Sequence, residues 1–257
     1  MTLLLICSVA LLAALLTFFS GFGLGTLLLP AFALFFPVEQ AVGLTAVVHL
    51  LNSLFKLGLV GRHARLDILL RFGLPALIAA PLGAWLLVRL SLADTDLEYH
   101  VFGQPISITP VNGVIGLLLM SFVLVELLPR LRNASVPLRY LPLGGLLSGF
   151  FGGLSGMQGA LRAAFLSRAG LSKQAYVGTG AAIAAVIDLA RIGVYLAALS
   201  AIGDGAETPV LLAAIAAAFL GTWLGNRHLA SVTMPGIQRL VAGLLFMLGL
   251  ALVLGWL

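Results

Sequence analysis

Arg162 and Gln158 stand four residues apart, on one face of any helix that carries them. A guanidinium beside an amide is a donor set for an oxyanion, because the planar fork of arginine binds two oxygens at once. The plainer role for Arg162 is a lock to a neighbouring carbonyl or to Asp188. Asp188 and Arg191 lie one turn apart, with Tyr195 a further turn along. They read either as a local ion pair or as a carboxylate that takes up a proton and releases its arginine. Thr45, His49, Asn52 and Lys56 fall within about 60 degrees of rotation on a helix advancing ~100 degrees per residue, and so form one polar stripe. Imidazole changes charge near neutral pH, which makes His49 a candidate proton carrier; a neutral histidine hydrogen-bonded inside a bundle is the simpler account. Lys56, toward one end of its segment, reads as a side chain that snorkels to an interface.

The segments that carry these residues are apolar. Of 257 residues 61% are apolar and 9% charged, against about 25% charged in an ordinary soluble domain, which excludes a soluble globular protein. Eight apolar blocks, near 2–36, 38–60, 66–88, 106–128, 140–169, 174–202, 209–226 and 236–257, have or exceed the length that crosses a hydrocarbon core of ~30 Å. The chain is thus read as a polytopic, all-helical membrane protein. Met1 to Ser20 has no basic stretch before it and no small-residue cleavage site, so it is read as a retained membrane helix. No loop exceeds roughly 20 residues, too few for a soluble catalytic domain. The net charge of +5 is spread over loops and orients the protein rather than marking a nucleic-acid surface. A single cysteine, Cys7, excludes an internal disulfide and a cysteine-built metal centre. At membrane depth a charge costs about 2.5–3.5 kcal/mol on insertion scales, so Arg162, Asp188 and Arg191 need a partner or a task.

The chain repeats itself. Glu39-Gln40-Ala41 through Thr45 matches Lys173-Gln174-Ala175 through Thr179 at an offset of 134, and Leu82-Gly83-Ala84-Trp85-Leu86 matches Leu220-Gly221-Thr222-Trp223-Leu224 at an offset of 138. The first and fifth blocks, too long for one span, are broken by Gly21, Gly23 and Gly25 and by Gly152, Gly153, Gly156 and Gly159, with Gly25 matching Gly159. If each broken block returns to its starting side, Arg62, Arg65, Arg71, Arg130, Arg132, Arg139, Arg168, Lys173, Arg227 and Arg239 all lie cytoplasmic and Arg89 alone lies outside. A single crossing by the fifth block would scatter them. The reading is two inverted repeats, residues 1–133 and 134–257, each a glycine-broken helix pair or re-entrant hairpin plus three spanning helices. The acidic loops Asp94 to Glu98 and Asp204 to Glu207, and both termini, then face outward. Broken helices at matching positions point to a transporter with a midplane site, where half-helix ends offer amide donors to an anion. The alternative is that the glycines only let helices pack closely.

Ser20 to Pro30 followed by Glu39 to Thr45, and Gly149 to Gly159 followed by Ser172 to Ala175 and Thr179, resemble the TauE/SafE membrane proteins, often called sulfite exporters. The resemblance spans both halves in order. It implies an all-helical carrier of the inner (plasma) membrane that moves small anions such as sulfite, sulfonates and related sulfur oxyanions. Leu24, Ser155, Met157 and Gln158 interrupt glycine runs that are fuller in that family. The expectation is therefore a secondary transporter, an exporter by its resemblance, working by alternating access with proton coupling. The expected ligand contacts are Gly23, Gly25, Thr45, His49, Asn52, Ser155, Gln158, Gly159, Arg162 and Thr179, and the expected coupling or gating residues are His49, Asp188 and Arg191. The expected partners are a small anion and membrane lipid, with a homo-oligomer left open; no cofactor, metal or nucleic acid is expected. Two alternatives are a passive anion channel and an intramembrane hydrolase. The latter would use Ser155 in Gly153-Leu154-Ser155-Gly156, with His49 as the one histidine at depth.

Overall fold

The computed structural model describes residues 2–16, 18, 24–93, 95–101, 104–127, 137–167, 169–199, 208–228 and 235–256. Gly21, Gly23, Asp94, Arg130, Arg132, Arg168 and 204–207 lie outside them, as does the side chain of Arg239. The apolar blocks form helices α1 (Thr2–Leu16), α2 (Leu24–Ala33), α3 (Val38–Val60), α4 (Leu66–Ser91), α5 (Pro110–Leu127), α6 (Leu141–Ser155), α7 (Gly159–Leu166), α8 (Lys173–Leu199), α9 (Thr208–His228) and α10 (Pro235–Val253). Val38–His63, Leu66–Ser91, Lys173–Leu196 and Thr208–Arg227 are long and apolar enough to cross a membrane by length and composition, and shorter apolar helices accompany them. Large apolar side chains cover the outside, with Leu4 exposed by 74% and Ile78 and Met247 by 68%. In water such a surface would drive aggregation; against lipid tails it is solvated.

One element departs from the all-helical expectation. The fourth block was expected to become helical near residue 106, but Leu97–Val101 (β1) and Gln104–Ile108 (β2) pair as an antiparallel hairpin and α5 begins only at Pro110. The cause is local alternation, with Leu97 and Tyr99 on one face of their strand and Ile106 and Ile108 on theirs. The hairpin also has a tertiary partner: Tyr99 Oη donates to the Leu254 carbonyl at 2.6 Å.

The second break is shorter than the glycine pattern suggests. Gly152 and Gly153 lie inside α6, which stops where Gly156 takes a left-handed φ of 78°. Only Gly156, Met157 and Gln158 separate it from α7. Gly153 serves packing instead. A Cβ at Gly145, Gly149 or Gly153 would stand 2.1, 2.4 or 2.0 Å from the carbonyl oxygen of Phe72, Ala76 or Ala80. Each step of four along α6 meets a step of four along α4, so the two helices run in the same direction in backbone contact. α1 and α9 repeat the arrangement, with Gly221 against the Leu11 carbonyl and Gly225 against that of Leu15. Gly153→Val has nowhere to put two methyl groups, and overpacking of this kind costs about 1–3 kcal/mol or more. The expected result is a lowered melting temperature and loss of the monodisperse peak in size-exclusion chromatography. Gly193→Ala, where nothing lies within 4 Å of an added Cβ, should leave both unchanged.

α3 and α8 run in opposite directions, since His49 meets Asp188 and Val60 meets Gly178. α5 and α10 do the same, with Gly116 against Val253 and Gly249 against Met120. Phe18, Val60 and Val177 cluster, and Gly225 reaches Phe18, which gathers the C-terminal ends of α1, α3 and α9 with the start of α8. α8 has 27 residues against 23 in α3. Near the ends of α4 and α9, Arg89 stacks over Trp85 and Arg227 over Trp223, each 5.3 Å from the ring centroid. These are matched pairs of the kind that sits at a membrane interface.

Candidate functional site

The start of α2 and the break between α6 and α7 both reach the interior of the bundle. A Cβ at Gly25, in the first turn of α2, would lie 3.4 Å from the Gly156 carbonyl, 3.7 Å from His49 Cδ2 and 3.9 Å from Thr45 Cγ2. Gly25, Gly156, Gln158 and Gly159 line a cavity of about 30 Å³ together with Thr26, His49, Ser53, Lys56 and Arg162. That is room on the order of two water molecules. In this conformation the hollow accepts a ligand of a few heavy atoms at most.

A chain of buried polar contacts runs beside it. His49 Nδ1 lies 2.6 Å from Asp188 Oδ2, so the nitrogen facing the carboxylate carries a proton and donates it. Asp188 Oδ1 accepts from Gln158 Nε2 at 2.9 Å and from Arg191 Nε at 2.9 Å, with Arg191 Nη2 at 2.8 Å. Gln158 Oε1 in turn accepts from Arg162 Nη1 at 3.0 Å. The amide thus links the carboxylate on α8 to the guanidinium on α7. Gln158 can serve both because its side chain has a donor end and an acceptor end. Its backbone carbonyl accepts from Ser148 Oγ, which fixes the break against α6. Asp188 and Arg191 are fully buried, and a charge so placed is tolerated only when matched. Nη1 of Arg191 has no hydrogen-bond partner among the described residues, and a Cβ at Gly156 would stand 3.0 Å from it. A side chain at 156 would therefore press on this guanidinium as well as strain the left-handed turn.

The expected site residues are distributed unevenly. Gly25, His49, Gln158, Gly159 and Arg162 share the cavity. Thr45 is buried one turn from His49, its hydroxyl without a hydrogen-bond partner among the described residues, and it is not in the cavity wall. Asn52 is turned to α9, where Thr222 Oγ1 donates to its Oδ1 at 2.6 Å. Thr179 Oγ1 accepts from the backbone N–H of Arg65, tying α8 to the turn after α3. Ser155 Oγ donates to the Phe151 carbonyl within its own helix. Asp188 and Arg191 form the local pair and stand behind the wall. Sequence reasoning left out Thr26 and Ser53 and set Lys56 aside. Lys56 lies inside, with Nζ 5.7 Å from the Phe18 ring centroid. The signal was present at the spacing His49, Ser53, Lys56, which is one helix face.

A family model described as Sulfite exporter TauE/SafE matches residues 6–252. The chain belongs to that family. It matches no curated protein and no solved structure. TauE/SafE proteins are membrane transporters, not enzymes, and the arrangement around Ser155 accords with this: its hydroxyl bonds to its own helix while His49 bonds to Asp188. For this TauE/SafE protein the cargo class that the family implies is a small anion such as sulfite.

Proposed function

We propose that the protein is a secondary transporter of the inner membrane that exports a small sulfur oxyanion, sulfite or a short sulfonate, bound where the two helix breaks meet. The observation that carries this reading is the wall of the cavity, which combines backbone at Gly25, Gly156 and Gly159 with Arg162, Lys56 and His49 and, among the described residues, contains no carboxylate. Backbone donors at a helix start and a forked cation are the groups that hold an oxyanion.

Residues 1–133 and 134–257 act as two inverted repeats. Supporting this, α3 opposes its counterpart α8 and α5 opposes α10. The same-direction pairs α4 with α6 and α1 with α9 map onto each other when the halves are exchanged. The cavity wall includes Phe18 and Val177, at the end where α3 finishes and α8 begins. Near the opposite end, a separate hollow of about 470 Å³ is lined by residues such as Phe36, Glu39, Ser91 and Asn112. Rocking of one repeat against the other would open the site to each end in turn.

Proton coupling runs through His49, whose Nδ1 is held by Asp188 while the Cδ2 edge of its ring lies beside Gly25 in the cavity. In proteoliposomes, sulfite flux is expected to rise with an imposed pH gradient, and His49→Ala is expected to remove that dependence while some flux persists. Full gradient dependence in His49→Ala would dismiss the histidine as carrier; no flux of sulfite, thiosulfate or methanesulfonate in wild type would dismiss the transport reading itself.

A further inference from the structure

α6 stops at Ser155, which leaves the carbonyls of its last turn without partners further along the helix. The Gly152 carbonyl is taken from inside the turn, by the N–H of Gly156 at 2.9 Å. The Gly153 carbonyl is taken from outside, because Tyr195 Oη on α8 donates to it. Tyr195 is 4% exposed, and a hydroxyl so deeply buried needs a partner as much as the carbonyl does.

Tyr195 shares one face of α8 with Arg191 and Asp188, at steps of four and three residues. That face follows the break in register. Tyr195 holds Gly153 on the α6 side, Arg191 lies against Gly156 at the turn itself, and Asp188 accepts from Gln158 on the α7 side. The break has little stiffness of its own, since four of the eight residues from Gly152 to Gly159 are glycine. Its shape is therefore set by the two hydrogen bonds that α8 makes before and after the turn.

Resting on the anion-binding reading above, we infer that Tyr195 is a positioning residue for the cavity: its bond to Gly153 anchors the α6 side of the break, so that the backbone at Gly156 and Gly159 meets the ligand already aligned. Tyr195 stands behind the cavity wall and acts through the break. Without its bond the break samples other arrangements, and the fraction of molecules ready for the anion falls. Apparent affinity drops by that same fraction, while the geometry of the loaded site is unchanged.

Tyr195→Phe keeps the ring and removes the donor. In proteoliposomes its KM for sulfite is expected to rise by roughly tenfold, with maximal flux within about twofold of wild type. Hydrogen exchange of the purified full-length protein, read by mass spectrometry, is expected to quicken in peptides spanning 152–162 and to stay as in wild type in α1 and α9. A tyrosine that only stabilised the fold would give the opposite split: lower maximal flux at an unchanged KM, with exchange quickened throughout. That result, or wild-type KM and exchange in Tyr195→Phe, would overturn the assignment and leave the anion site standing. Should Tyr195→Phe fail to fold, Tyr195→Gln keeps a donor on a shorter arm and is expected to show the same split to a smaller degree; an unchanged KM there overturns the assignment equally. If wild type carries no sulfite, the transport reading falls, and the exchange measurement, which uses no anion, still decides whether Tyr195 holds the break.

Discussion

Arg162→Ala is expected to abolish anion flux while the protein still inserts and melts near the wild-type temperature. Truncating one partner of a buried, charge-assisted contact costs about 2–5 kcal/mol of binding, which is roughly a 30-fold or greater loss of affinity. Stability should change little. Arg162 is 4% exposed and shares a small cavity with Lys56, so its removal relieves a like-charge contact but also takes the hydrogen bond from Gln158 Oε1. A residue that only locked α7 in place would show the reverse pattern, with a lower melting temperature and flux reduced in proportion to the folded fraction. Arg162→Lys separates charge from geometry: it keeps the cation and loses the fork, so binding should be intermediate. Measuring flux and melting temperature on the same preparations decides between ligand contact and structural lock, and unchanged flux in Arg162→Ala would take the residue out of the site.

The parts of this site that sequence made legible are those whose partners are neighbours along one helix. Gln158 with Arg162 and Asp188 with Arg191 sit at spacings where side chains must meet. Gly25 and Gly159 were placed by repetition rather than by chemistry, and both line the cavity. What stayed hidden depends on which helix arrives from elsewhere. His49 and Asp188 are 139 residues apart and touch because α3 crosses α8. The stripe of α3 gives Asn52 and His49 equal claim to the interior, yet α9 takes Asn52 through Thr222. Glycine was ambiguous for a related reason. Gly153 and Gly156 look alike in a sequence, but one admits a neighbouring backbone and the other turns its own chain. Lys56 was set aside because a long stem near a helix end reads as snorkelling; Phe18, which lies under its ammonium, follows α1 and gave no sign of that contact.

Asp188→Leu is expected to be the most destabilising single change in the protein. It removes the acceptor for His49, Gln158 and Arg191 at once and leaves a fully buried guanidinium without its counter-charge. Losing one member of a buried pair costs about 3–5 kcal/mol, most of it the penalty on the charge left behind. Asp188→Leu combined with Arg191→Met should recover most of the loss, since replacing both members with apolar side chains of similar volume is often neutral or stabilising by ~1–4 kcal/mol. Melting temperatures of the single and double variants test this, and a double variant as unstable as the single would mean that Arg191 is not the source of the penalty. Recovery of the fold should not bring back transport. Without Asp188 the amide of Gln158 loses the contact that turns its oxygen toward Arg162, and His49 loses the group that fixes its proton on Nδ1. A fold restored with flux and pH dependence still absent would mean that the pair is kept for what it positions: an apolar pair can fill the same space, but it cannot hold an amide and an imidazole toward a cavity built for a negative charge.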